Sequence, residues 1–221
     1  MEAVGFKMTK SPKLPAALDA AAAGNLAALR NLVDRLKEGR GLRKNRRKAF
    51  SLAVKGAMHG DPYLTWYVGD AFDYGEGVKH SARKARQYYQ AAVDLGSVEA
   101  MTALGVYYWE HARSIRDRKK ALHLYRRAAR SNEPNALHNI GVCYSTGRIV
   151  RRSLPLAYSF FLRAAKLGHI EAQFKVGWCL VYGEGVPVNP KAGRKWLKAA
   201  AHRGHPRAIE LLSRQNRPRV V

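Results

Sequence analysis

Residues Gly69-Asp70-Ala71-Phe72-Asp73-Tyr74-Gly75-Glu76-Gly77-Val78 and Gly177-Trp178-Cys179-Leu180-Val181-Tyr182-Gly183-Glu184-Gly185-Val186 are two versions of one pattern, 108 residues apart. That interval is three steps of 36, and the same step organises most of the 221-residue chain. Gly24, Gly60, Gly96, Asn132, Gly168 and Gly204 fall on it. Ala28, Leu64, Ala100, Ala136, Ala172 and Ala208 follow each by four residues. Gly69, Gly105, Gly141 and Gly177 keep the register, with Val33 in the first copy, and Phe72, Tyr108, Tyr144 and Leu180 come three residues later. Columns that hold without slippage mark an internal repeat.

Each copy has helical periodicity. Ala100, Leu104 and Tyr108 share one helix face, and the glycine after Leu104 leaves room for a neighbouring helix. A second column, Asn45, Ser81, Asp117, Ser153 and Asn189, consists of N-cap residue types, and Pro190 occupies the first helical position after the last of them. Ala49, Ala85, Ala121, Ala157 and Gly193 then supply small contact positions. Leu52, Tyr88, Leu124, Phe160 and Trp196 are read as their bulky partners. Each unit is therefore a helical hairpin, A then B, ended by a Gly or Asn suited to the left-handed region. A helices are expected near 26–38, 62–74, 98–110, 134–146, 170–182 and 206–214, and B helices near 46–59, 82–95, 118–131, 154–167 and 190–203. Ser11-Pro12 is expected to open an earlier capping helix through Ala23. No hairpin buries its apolar face alone, so the predicted fold is an all-α solenoid of about five hairpins with a half-repeat at each end. The expected organisation is a capping segment 1–23, repeats 24–213 and a basic tail 214–221.

The two quoted stretches resemble the A-helix and turn of the Sel-one-like repeat, a relative of the tetratricopeptide repeat. Lys84-Ala85, Tyr88-Tyr89, Ala91-Ala92 and Gly96 resemble its B-helix ending. The third copy departs from the pattern, with His111-Ala112-Arg113-Ser114 where the glycine-rich turn belongs, and most copies lack the family's usual Asp at the B-helix cap. The resemblance implies a right-handed solenoid that binds other proteins on a concave face lined by A helices. Fold alone does not choose among adaptors, signalling partners and secreted factors.

The charge is uneven. Lys and Arg number 40 against 16 Asp and Glu, for a formal net charge of +24. Nine-residue windows around the five A–B turns hold 18 Lys/Arg against three acids, so a fifth of the chain carries more than half of the excess. Arg43, Lys44, Arg46, Arg47, Lys79, Arg83, Arg116, Arg118, Lys119, Arg151 and Arg152 are expected to form a basic ridge. A field of one sign attracts polyanions, either an acidic protein or nucleic acid, although a solvated edge needs the same residues. Zinc-finger and aromatic nucleic-acid motifs are absent.

Catalytic chemistry finds no support. Cys143 and Cys179 occupy equivalent positions in adjacent copies, too far apart for a disulfide, and read as small core residues. Reduced thiols and the lack of an apolar leader lead to the expectation of a cytoplasmic protein. The eight histidines show no metal-ligand spacing, and His169 and His205 read as turn or cap residues. Gly-Glu-Gly lacks the strand and Gly-Lys-Ser/Thr of a phosphate loop. No catalytic residue, metal or cofactor is expected, and no run is long enough to span a membrane. Phe72, Tyr108, Tyr144, Tyr88, Phe160 and Trp196 read as core. Tyr63, Trp66, Tyr67, Trp109, Phe174, Trp178 and Tyr182 fall off those columns on A helices, where they either anchor a partner in the groove or bridge neighbouring A helices. The expected function is a non-enzymatic scaffold for an acidic protein partner, with nucleic-acid association through the ridge as the alternative.

Overall fold

The structure is a computed structural model that describes residues 25–215. The expected capping helix before residue 24 and the side chains of the basic tail lie outside the described residues. Eleven helices and no strand occupy the described residues. They form two compact units. The first holds α1 (Leu26–Glu38), α2 (Arg46–Met58), α3 (Pro62–Tyr74) and α4 (Ala82–Asp94). The second holds α5 (Val98–Glu110), α6 (Ile115–Ala129), α7 (Pro134–Thr146), α8 (Leu154–Lys166), α9 (Ile170–Tyr182), α10 (Pro190–His202) and α11 (Pro206–Gln215). Within each unit consecutive helices pack on one another as stacked hairpins.

The A helices stand where the periodicity puts them. The B-helix caps do so in four copies of five: Asn45, Ser81, Ser153 and Asn189 each accept the N–H three residues on, at 2.9 to 3.4 Å. In the third copy the cap is Ser114, not Asp117, and α6 starts three residues earlier than its equivalents. Ser114 Oγ accepts from the Asp117 N–H and donates to Asp117 Oδ2 at 2.9 Å. This reciprocal box satisfies two polar groups together and outcompetes the single cap that the column implies.

The mid-A-helix glycine is a notch for its own B helix. A Cβ on Gly69 would lie 2.7 Å from the Tyr89 ring; on Gly105, 2.5 Å from Tyr125; on Gly141, 2.5 Å from Phe161; on Gly177, 2.7 Å from Leu197. The bulky partners are thus one residue later than the sequence columns suggest. Tyr89, Tyr125, Phe161 and Leu197 are buried, while Tyr88, Phe160 and Trp196 are half-buried at the flank. Stacking of Phe72 on Tyr88 and of Tyr144 on Phe160, at 5.7 and 5.8 Å, covers that flank. The first copy inverts the sizes. Val33 takes the glycine register and Ala53 the aromatic register, and both are fully buried.

A second column joins successive A helices. Asn25, Asp61, Glu133, His169 and His205 each cap an A helix, accepting an N–H from the first turn. Each of the last four is also touched by the residue 31 positions earlier, one hairpin back. The Arg30 Nε–H donates to Asp61 at 2.7 Å, and the Thr102 hydroxyl to Glu133 at 2.9 Å. His138 stacks on His169 at 4.6 Å, and Phe174 on His205 at 4.5 Å. These caps are legible as a 36-residue column directly after the glycines, a signal that sequence reasoning used only for the two histidines.

Candidate functional site

The turn cations are exposed. Arg43, Lys44, Arg46, Arg47, Lys79 and Arg83 in the first unit, and Arg116, Lys119, Arg151 and Arg152 in the second, all face solvent, and Arg118 is half-buried. Two are engaged: Arg46 pairs with Glu76 at 3.0 Å, and the Arg152 Nε–H donates to the Ser145 carbonyl at 3.1 Å.

The first unit's turn also rests on the preceding hairpin. Gly77 has φ +77°, and a Cβ there would collide with the Arg46 carbonyl. The second glycine of Gly-Glu-Gly is therefore fixed both by left-handed backbone and by close approach. Gly185 meets Leu154 in the same way in the second unit. Seating this turn leaves an open depression of about 780 Å³ over α2, lined by Arg47, Phe50, Ser51, Val54, Val78 and Lys79.

Six of the seven A-helix aromatics divide into three groups. Tyr67 and Phe174 are buried, which corrects their reading as exposed anchors, although Phe174 still lines the cavity beside Trp178. Tyr63 and Trp66 bridge helices. The Tyr63 hydroxyl donates to Asp34 on α1 at 2.6 Å, and the Lys37 ammonium lies over Trp66 and Tyr67 at 5.9 and 5.0 Å. Lys37 also pairs with Asp70 at 3.5 Å, yet burial raises that carboxyl's pKa above the ordinary value. Trp109 is half-buried.

Trp178 and Tyr182 remain accessible, with Tyr182 half exposed and the two rings 4.3 Å apart. The Trp178 indole N–H donates to Glu184 at 3.0 Å, which holds the ring upright. Beside it lies a cavity of about 330 Å³ with Val142, Ala157, Phe161 and Phe174 in its lining. Lys175 and Arg207 border it, held over the Phe174 ring at 5.9 and 5.0 Å. Glu184 also lines it and Lys175 pairs with Glu171 at 3.7 Å, so Arg207 is the cation placed to meet a carboxylate beside an inserted bulky side chain.

Cys143 and Cys179 are free and buried, and burial pushes their thiols up to about 12 and about 11. Such thiols are protonated at neutral pH and poor nucleophiles. Among the described residues no cluster of His, Cys, Asp or Glu has metal-site geometry, and no helix is long and apolar enough to cross a membrane.

Stacked hairpins of fixed 36-residue period, with glycine notches and seated turns, define a helical-repeat protein of the solenoid class. The Sel1 repeat model matches residues 20–61, 64–97, 98–133, 134–169 and 170–205, and the chain belongs to the Sel1 repeat family. Sel1 repeats generally mediate protein–protein interaction. An uncharacterized protein of Neisseria meningitidis serogroup B, NMB1327, is 29% identical over 74% of the chain and 34% of its own length. The F-box protein At1g70590 of Arabidopsis thaliana is 33% identical over 62% of the chain and 37% of its own length. The chain thus spans about a third of the length of these relatives. Among solved structures, a Sel1 repeat protein from Oxalobacter formigenes superposes with a TM-score of 0.78 at 24% identity, over 86% of this chain and 78% of that one. The protective antigen c5321 of uropathogenic Escherichia coli gives 0.71 at 23% identity, over 87% and 41%. At these identities the structural matches bear on the fold.

Proposed function

We propose that the protein is a non-enzymatic scaffold whose partner is an acidic protein, held in the cytoplasm through the A-helix surface of the second unit. The observation that carries this reading is the cavity beside Trp178, bordered by Lys175 and Arg207. Indoles in partly enclosed apolar sites are enriched among energetic anchors at protein interfaces, and Arg207 favours an acidic neighbour of the inserted side chain. The test is a pull-down with the full chain after nuclease treatment, followed by affinity measurement on the captured protein. Trp178→Ala is expected to weaken binding by roughly 1–4 kcal/mol without loss of folding. Unchanged affinity per folded molecule overturns the groove assignment.

A second reading, association with nucleic acid, draws support from the exposed turn cations Arg43, Lys44, Arg47, Lys79 and Arg83. Duplex affinity through them would fall with log salt at a slope near −0.9 per phosphate contacted. Nuclease resistance of the captured complex separates the two readings.

A further inference from the structure

The depression over α2 belongs to the first unit and shares no lining residue with the Trp178 cavity of the second. Its construction is visible by comparison with the second unit, where the same turn is seated in the same way. Gly77 on Arg46 corresponds to Gly185 on Leu154, and the interval is again 108 residues. The apolar lining is kept: Phe50, Val54 and Val78 correspond to Tyr158, Leu162 and Val186. The latter three are half-buried and packed against the second unit's core. The rim is not kept. Arg47 and Lys79 correspond to Pro155 and Pro187. Seating the turn therefore requires glycine and apolar residues but not the two cations. The cations are separable from that seating: they recur as Lys119 and Arg151 72 residues on, where Arg126 replaces Val54 and the apolar floor is not kept.

Around that rim the field is strong. Arg43, Lys44, Arg47, Lys48, Arg83 and Lys84 are all exposed, and Glu76, the one acid in the two turn windows, is already paired with Arg46. Lys84 sits over Phe72 at 5.1 Å, and Phe72 packs edge-on against Phe50 at 5.4 Å. Charge complementarity calls for an anionic occupant. The apolar floor of Phe50, Val54 and Val78 calls for a hydrophobic side chain, which a phosphodiester backbone lacks.

We propose that this depression is a second docking site, for an acidic segment of a partner protein that inserts one bulky apolar side chain over Phe50 and Val54 between Arg47 and Lys79. The site deepens the acidic-partner reading but does not depend on the Trp178 cavity.

The test pans a phage-displayed library of random 12-residue peptides on the full chain. Panning is repeated on a variant carrying Arg47→Gln, Lys79→Gln and Ser51→Glu. All three positions are exposed, so folding is preserved, and circular dichroism at the wild-type melting temperature checks it. The expected result is enrichment of acidic peptides with a Phe, Trp or Leu that bind the variant at least tenfold more weakly and bind Trp178→Ala unchanged. Replacing the apolar residue of such a peptide by Ala should cost about as much. Peptides that lose affinity only in Trp178→Ala leave the groove reading intact and overturn this one. Enriched peptides without an apolar anchor, or no enrichment over the variant, also overturn it. A 20-nucleotide single strand that binds wild type more tightly than every selected peptide, with the same sensitivity to the triple variant, reassigns the surface to nucleic acid.

Discussion

The imidazole of His138, in the middle of α7, stacks on that of His169, the cap of α9, with ring centroids 4.6 Å apart and planes 15° from parallel. His169 Nδ1 accepts the Ala172 N–H at 3.0 Å, so this ring must stay unprotonated at Nδ1 to cap its helix. Burial, then the neighbouring His169, lowers the pKa of His138 to about 4, and burial lowers that of His169. The joint between these hairpins is built for neutral histidine.

A pH dependence follows. A histidine with a depressed folded pKa binds fewer protons than in the unfolded chain, so its stability contribution is present above pH 6.5 and is lost as pH falls toward the folded value. For His138 the window runs from about 6.5 to about 4, and the full loss is about 3 kcal/mol. Urea unfolding at pH 7 and pH 4.5 should show the decline. His138→Leu should flatten it within that window.

The glycine notch predicts a compensation. Gly141→Val alone drives a branched side chain into the Phe161 ring and should destabilise by roughly 1–3 kcal/mol or more. Phe161→Ala alone opens a cavity and should cost roughly 3–5 kcal/mol. Together they reproduce the Val33 and Ala53 arrangement of the first hairpin, and the double variant should lose clearly less than the two singles added. Additive losses, measured by denaturant melts, would show that the notch is not a size-matched pair.

Asp61 is fully buried. It caps α3 through the Leu64 N–H at 2.9 Å and accepts from Arg30. Asp61→Ala removes both interactions and should cost about 2–3 kcal/mol, made up of a cap near 1 kcal/mol and a hydrogen bond from a charged group. Arg30→Ala keeps the cap but leaves the buried carboxylate without its cation, and should cost somewhat less, about 1–2 kcal/mol. Thermal melts of the two variants test the order.

Phe174→Ala and Trp178→Ala, four residues apart on α9, should part company. The first truncates a buried ring and should lower stability by roughly 3–5 kcal/mol. The second should act mainly on partner affinity. Calorimetry and binding on the same preparations distinguish them.

Most of the helical framework was readable because a 36-residue period repeats each signal several times. A single cap is weak evidence, but five in register are not. The failures lie where period alone is silent. Ser114 displaces Asp117 through a local hydrogen-bond box that one copy alone possesses. Tyr88 and Tyr89 are adjacent and chemically alike, and only the packing angle of α4 on α3 decides which enters the notch of Gly69. Tyr67 sits one position from the half-buried, bridging Trp66, and Phe174 four from the accessible Trp178. A helix turned by a fraction of its circumference changes an anchor into core. The cations were legible as a composition bias, whereas the depression between Arg47 and Lys79 depends on where Gly77 seats the turn.

The contacts 31 residues apart set the phase at which this gene could gain or lose a repeat. Excising codons 134–169 would remove His138 and His169 together and leave the Thr102–Glu133 and Phe174–His205 couples whole. Shifting the same excision one residue earlier would bring Thr102 against His169 in place of Glu133, a joint that neither hairpin was built for. The repeats thus resemble cars with unlike couplings more than interchangeable beads. The order of copies is written into side chains that a consensus of the period averages away.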